Sequence, residues 1–365
     1  MSASAVTRPL VHGPSLTKTG IVLGGGLMVL AAALVAGVGL GSVPIAPDET
    51  VTILLARLFG IGADRVDPTL ATIVFELRLP RVLGAMVVGA GLGCAGTVFQ
   101  AILRNPMADP YIIGTAAGAS LGATVGILLP ILVPAVGIGL GSSWMGLGAV
   151  QALAFVGGFG TVLAVLAIAR SGSRVPPVTL LLTGYAVSAV LAAGVALLMF
   201  ASGRALAAVF SWIMGSLGGV TWNDLAFATP LVAGAFALVL LRWRRLNLLL
   251  LGDGPAAHLG VEVERERTVL VGLATLVTSA VVAISGTIGF VGLVVPHLLR
   301  LVIGGDHRLL LPASLLYGAA LLVGADLVAR LAGGIPVGVV TALLGAPFFL
   351  WLLRRSRAAA VVAAP

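Results

Sequence analysis

Three patterns have the residue types and spacing for chemistry: Gly118-Ala-Ser120-Leu-Gly122, Arg78-Leu-Pro-Arg81, and the histidines His12, His258, His297 and His307. The first matches the Gly-x-Ser-x-Gly spacing of a hydrolase nucleophile, which needs a sharp strand-to-helix turn to present its hydroxyl. Here it lies in a Gly/Ala-rich apolar stretch with no evident His partner. Small residues that let two membrane helices approach closely are the favoured reading. The histidines are scattered and form no His-Glu-x-x-His pair, which disfavours a metal-dependent membrane protease. The lone lysine, Lys18, follows no glycine-rich loop, so no phosphate-binding loop is present and any ATP hydrolysis belongs to another subunit. The single Cys94 allows neither an intrachain disulfide nor a cysteine-rich metal site.

Arg78-Leu-Pro-Arg81 stands at the start of an apolar run, where Pro80 suits the first turn of a helix. Two readings of the arginines stay open. One is interfacial snorkelling, or neutralisation by Glu76. The other is a docking point for an acidic patch on an extracytoplasmic partner, because a guanidinium grips a carboxylate with two donors. Arg330 could join them, but Asp326 lies four residues earlier on the same helical face, so an intrahelical ion pair competes. The segment Arg104-Asn-Pro-Met-Ala-Asp109-Pro110 is a polar break whose prolines disfavour helix in the residues before them, and it reads as a structured turn without chemistry.

The elements that must position these residues lie in lipid. Hydrophobic residues make up 59% of the 365 positions, 9% are charged, and mean hydropathy is +1.16. A water-soluble surface cannot be built from that composition. Unbroken apolar runs favour an all-α polytopic membrane protein over a barrel of short alternating strands. Counting runs near the ~20 residues a bilayer requires gives about ten transmembrane helices: 20–42, 82–103, 111–137, 147–169, 178–200, 225–241, 268–288, 290–304, 309–329 and 336–353. The first is longer than the ~7–15-residue core of a signal peptide and is read as a retained span.

The net charge of +8 does not indicate a nucleic-acid partner, because the arginines sit at the ends of apolar runs. With the N-terminus inside, 15 of the 21 basic residues fall in the cytoplasm, which sets an N-in, C-in topology in a plasma or inner membrane. This divides the chain into a leader (1–19), a ten-helix membrane domain (20–354) and a cytoplasmic tail (355–365). The outer connection Ser42–Pro80 carries a helical pattern over Glu49–Ile61 and predicts a surface helix. Ala205–Val220 is apolar but too short to span, and predicts a half-helix. Gly286–Gly289 divides what could pass for one long helix. The inner stretch 242–267 is the most charged of all and predicts a helix-turn-helix element that invites a soluble partner. Gly93–Arg104 and Gly289–Arg300 faintly echo each other, as in inverted repeats.

The Arg78–Arg81 motif, Gln100-Ala-Ile-Leu-Arg-Asn-Pro-Met-Ala-Asp-Pro110, the Gly114–Gly122 segment, Gly286-Thr-Ile-Gly-Phe-Val-Gly-Leu-Val-Val-Pro-His297, Asp306-His-Arg308 and Pro336-Val-Gly-Val-Val-Thr-Ala-Leu-Leu-Gly-Ala-Pro347 occur in order along the chain. Together they resemble the permease family of ATP-binding-cassette (ABC) importers for ferric siderophores, haem and cobalamin, the FecCD/BtuC type. The resemblance implies the type II importer permease fold and a dimer with a second copy or close paralogue. It implies two separate ABC ATPases, which use the ATP, and an extracytoplasmic substrate-binding protein. This chain itself is then no enzyme and binds no cofactor or metal.

By the same resemblance, Arg78, Arg81 and Arg330 pair with acidic residues of the binding protein. The ATPases engage the loop containing Gly252, Asp253, Ala257, His258, Leu259 and Gly260, and the cytoplasmic gate falls near Pro176, Pro177 and Val178. Two departures stand out. Family members usually carry a Glu before the Pro-x-Gly that opens the last span, whereas this chain has the shorter Arg330-Leu-Ala-Gly-Gly-Ile335-Pro336. At the gate it reads Val175-Pro176-Pro177-Val178. A ferric siderophore is the first-choice cargo, with cobalamin and haem as alternatives. A proton-coupled secondary transporter is the rival of another class.

Overall fold

In lipid, a spanning segment must satisfy its own backbone N–H and C=O groups, and for apolar runs of this length the α-helix does so. The computed structural model describes residues 15–41, 45–61, 66–132, 148–170, 172 and 175–362, and these are helical almost throughout. In chain order the helices are α1 (Leu16–Gly39), α2 (Pro47–Phe59), α3 (Pro68–Ile102), α4 (Thr115–Leu132), α5 (Ala149–Ala169), α6 (Pro177–Ala201), α7 (Leu206–Ile213), α8 (Trp222–Leu240), α9 (Trp243–Leu249), α10 (Asp253–His258), α11 (Val263–Ser285), α12 (Val291–Ile303), α13 (His307–Leu331) and α14 (Val337–Val362).

Among the described residues, seven of these are long and apolar enough to cross a membrane: α1, α3, α5, α6, α8, α11 and α13. The shorter apolar helices α4, α12 and α14 coincide with the remaining three expected spans, so the ten-helix reading fits. The expected half-helix is α7, and the expected surface helix is α2, which ends on Gly60 at φ 73°. Helices α11 and α12 part at Gly286, where φ is 68° and a Cβ would collide with the Trp212 carbonyl. The leader up to residue 14, the far end of the third expected span (133–137) and the start of the fourth (147) lie outside the described residues.

Three expected boundaries move. The second span does not begin at Arg78-Leu-Pro80. It starts further upstream, at Pro68, and runs on as α3 through a π turn at Ile73–Arg78. Pro80 has no N–H and its ring crowds the carbonyl four residues back, and the wider π turn immediately before it relieves that conflict inside a continuous helix. The third span starts at Thr115 rather than 111. Asn105 and Asp109 accept hydrogen bonds from the Met107 and Tyr111 N–H groups (3.0 and 2.9 Å), holding 103–114 as the structured turn expected there. At the other end of the chain, α14 continues helically to Val362.

α3 is the axis of the bundle, with 89% of its most apolar window buried against α13, α11, α12 and α8. α6 is the opposite case at 17%, exposing Leu182, Tyr185, Val190 and Phe200 along its length. Ser120 lies between Gly118 and Gly122, which form a tight seam between α4 and α5. A Cβ on Gly118 or Gly122 would strike the backbone of Gly157 or Leu153, so the Gly-x-Ser-x-Gly spacing is a close helix–helix contact. The Ser120 carbonyl accepts the Thr124 hydroxyl at 2.7 Å. Replacing Gly122 with Val should therefore cost about 1–3 kcal/mol by overpacking and lower the melting temperature in detergent, while Ser120→Ala should leave both melting and transport unchanged.

Candidate functional site

The charged residues collect in two groups toward opposite ends of the bundle, one beside the π turn of α3 and one past its C-terminus. At one end, the C-terminus of α1 presents carbonyls that have no partner within the helix. Arg78 donates to the Val38 and Gly39 carbonyls at 2.8 and 3.0 Å. Arg330 donates to those of Gly37 and Leu40 at 2.8 and 3.2 Å. Cations at a helix C-terminus also complement its partial negative charge.

Between these arginines lies Asp326, its side chain 1% exposed. Arg81 grips it with Nε and Nη2 at 2.9–3.1 Å, and Arg330 Nε lies 3.0 Å from Oδ2. The ion pair expected within α13 thus exists and is shared with Arg81 from α3. The carboxylate that pairs with Arg81 and Arg330 is Asp326 and not Glu76. Two guanidiniums, those of Arg81 and Arg330, share this one carboxylate and leave a net positive pair, which with Arg78, Leu77, Gly333 and Gly334 lines a hollow of about 520 Å³. The shortened turn before Pro336 is possible because Gly333 and Gly334 adopt φ of 91° and 78°.

At the other end of α3, the stretch 242–267 folds into α9 and α10 and runs into the first turn of α11. Helix α9 is pinned by Asn247, which donates to Asp306 at 2.8 Å and accepts the His307 N–H at 3.0 Å. Arg242 and Arg245 both pair with Glu266. In α10 only Ala256 is fully buried, while Ala257, His258, Leu259 and Gly260 face outward, Leu259 at 59% and nearby Leu251 at 60% exposure. Asp253 is held from two sides. Arg267 meets both its oxygens at 2.9 Å, and Arg104 lies 3.3 Å away. Pro176 and Pro177 are partly buried at the start of α6, and Val178 is 68% exposed. The arrangement has a firmly braced body carrying a small, solvent-facing, partly apolar element.

The sequence reading named the arginines and Asp253 but missed Asp326 as the common counterion, although it is the lone acid in its span. It also missed Arg267 and Glu264, whose i,i+3 spacing in the charged stretch was the available signal. Nothing in the sequence marked the α1 carbonyls as partners of Arg78. Among the described residues no group of His, Cys, Asp and Glu could hold a metal ion.

Fold and charge placement define a multi-pass helical membrane protein, and comparison with known proteins gives its family. Residues 29–355 match the FecCD transport family, and the chain belongs to that family. The cobalamin import system permease protein BtuC of Halobacterium salinarum is 43% identical over 309 residues, covering 84% of this chain and 79% of that protein. The hemin transport system permease protein HmuU of Yersinia pestis is 43% identical over 286 residues, with coverages of 77% and 83%. The Fe(3+) dicitrate transport system permease protein FecD of Escherichia coli is 43% identical over 288 residues, with coverages of 78% and 86%. A solved metal-chelate type ABC transporter in an inward-facing conformation aligns with TM-score 0.76 and 33% identity, over 92% of this chain and 99% of that one. The chain is accordingly a membrane protein of a transport family.

Two outcomes follow from this geometry. Asp326→Asn leaves two largely buried guanidiniums without their anion, which should cost about 3 kcal/mol or more and lower the melting temperature in detergent, whereas Glu76→Gln should not. In the 103–114 turn, burial pushes the Asp109 carboxyl up to about 6, against the Tyr111 hydrogen bond that favours its charged form. Such a carboxyl adds stability below its unfolded value of ~4 and loses it as pH rises through about 6. Melting curves of the wild type minus those of Asp109→Asn should show that decline between the two values.

Proposed function

We propose that this chain is the permease subunit of a binding-protein-dependent ABC importer for a bulky metal chelate. A ferric siderophore is the first-choice cargo, and cobalamin or haem are the alternatives. The observation that carries the reading is the exposed element 251–260, braced by charge at the end of the bundle opposite the arginines. An ATPase needs such a handle, small, outward-facing and rigidly connected. Family membership supports the same reading, as do relatives named for cobalamin import and for hemin and Fe(3+) dicitrate transport.

In this reading the basic-residue bias places the 251–260 element, with both termini, in the cytoplasm of a cell whose plasma or inner membrane holds the chain. Two ATPase subunits engage Gly252, Asp253, Ala257, His258, Leu259 and Gly260. The binding protein brings carboxylates to the net-positive hollow of Arg78, Arg81 and Arg330 on the outer side. The exposed faces of α6 and α14 meet a second copy or a close paralogue and enclose the pathway, with Pro176, Pro177 and Val178 at its inner gate. The chain contributes no cofactor, and ATP is used by the partners.

The rival, a proton-coupled carrier, is disfavoured by the placement of acids. Such a carrier is expected to keep a carboxylate near mid-membrane. Asp224, Glu264, Glu266 and Asp326 all lie within two turns of a helix end and are capped or ion-paired. The deciding measurement is uptake of labelled ferric siderophore, cobalamin and haem into proteoliposomes holding the permease, its ATPase and its binding protein. ATP-dependent uptake of one of them is expected, lost on deleting 251–261. Uptake driven by a proton gradient without the ATPase would replace the proposal with the rival.

A further inference from the structure

Val175 is buried at 2% exposure immediately before Pro176-Pro177, so its peptide is the last anchored point before α6 begins. Both polar groups of that residue are taken by the base of α11. Its N–H donates to Glu264 Oε2 at 2.8 Å, and its carbonyl accepts from Arg267 Nη1 at 3.3 Å. The same Arg267 Nη1 donates to Glu264 Oε1 at 2.9 Å, and Nη2 reaches both oxygens of Asp253 at 2.9 Å. One guanidinium, its side chain 4% exposed, therefore joins the exposed helix α10, the first turn of α11 and the start of α6. Val175 and Asp253 lie 92 and 14 residues from Arg267 along the chain, so no covalent route this short connects them.

A second cation holds Asp253 more weakly. Arg104 stands at the end of α3 with φ 49°, a conformation non-glycine residues adopt rarely. Its distance to Asp253 is 3.3 Å and its side chain is 41% exposed. Exposed pairs are screened and contribute little, whereas the Arg267 side chain is 4% exposed and donates to both oxygens of Asp253, itself 45% exposed. If α10 is pulled, the contact to the central helix α3 yields first, and the contact to Arg267 travels with α10.

We infer that Arg267 is a positioning residue for transport, which transmits displacement of α10 to the start of α6 through Asp253 on one side and Glu264 with the Val175 peptide on the other. The inference rests on the reading of α10 as the ATPase-engaging element. Arg267 touches neither cargo nor nucleotide in this account. Its role is to make α10 and the start of α6 move as one body.

The test uses the full permease–ATPase complex in proteoliposomes, with ATP hydrolysis and cargo uptake measured on the same preparation. Arg267→Ala should still co-purify with the ATPase and keep binding-protein-stimulated hydrolysis within about twofold of wild type, while uptake falls about tenfold or more, the range of typical coupling free energies. Arg267→Lys should recover part of the uptake, since an ammonium keeps the charge but cannot reach the Asp253 pair and the Val175 carbonyl with the same fork. Uptake at the wild-type level in Arg267→Ala overturns the inference. So does a parallel fall of hydrolysis and uptake, which marks a merely structural role. If Arg267→Ala fails to assemble, Glu264→Gln serves, because it weakens the Val175 link and leaves Arg267 on Asp253. The same split between hydrolysis and uptake is expected there, and its absence overturns the inference. Failure of the wild-type chain to bind an ATPase at all overturns the underlying functional reading as well, a result none of the variants can mimic.

Discussion

Water is missing from the interior of a bilayer, and the backbone and many polar side chains among the described residues are placed to answer that fact. The backbone answers it by forming helices from nearly every described residue. Side chains answer it by bonding back to nearby carbonyls, as Thr97, Thr124, Thr278 and Ser285 each do to the residue four positions earlier. Gln100, fully buried in α3, sends its amide to the Leu293 carbonyl at 3.1 Å. With the hydrophobic effect unavailable between helices in lipid, cohesion comes from close packing. That is why glycine backbones meet where α4 crosses α5 and where α3 crosses α12 and α13.

Charge is confined to the two ends of the bundle, and the ends are built differently. Around Asp326 the arginines converge from α3 and α13 onto one carboxylate and onto the spent end of α1, a locked cluster with excess positive charge left for an outside anion. Around Arg267 the charges alternate in a chain, Asp253, Arg267, Glu264 and then a peptide group, running from the exposed helix α10 to the buried Val175 peptide before α6. A convergent cluster fixes a surface in place. An alternating chain across separate elements ties their movements together. The difference suits the permease proposed above, with a fixed face for a binding protein on one side and an ATPase-driven element on the other.

Much of this was legible beforehand because lipid makes sequence unusually informative. The ten apolar runs, the surface helix near Glu49, the half-helix after Ala205 and the division at Gly286 are local properties of hydropathy and glycine placement. They recur in the structure as α2, α7 and the break between α11 and α12. The ion pair of Arg330 with Asp326 follows from helical spacing alone. The start of the second span did not follow, because Pro80 is a common first-turn residue and only the π turn before it lets the helix run back to Pro68.

Sequence by itself determined the class of protein, its spans and the family to which they belong, since those depend on hydropathy and on motifs read along the chain. Which charges meet was decided by tertiary structure. Arg81 and Asp326 are 245 residues apart, Arg78 and Val38 are 40 apart, and Arg267 and Val175 are 92 apart. A linear pattern carries the period of a helix but not the rotation of one helix against another, and that rotation places a guanidinium beside a particular carboxylate or carbonyl.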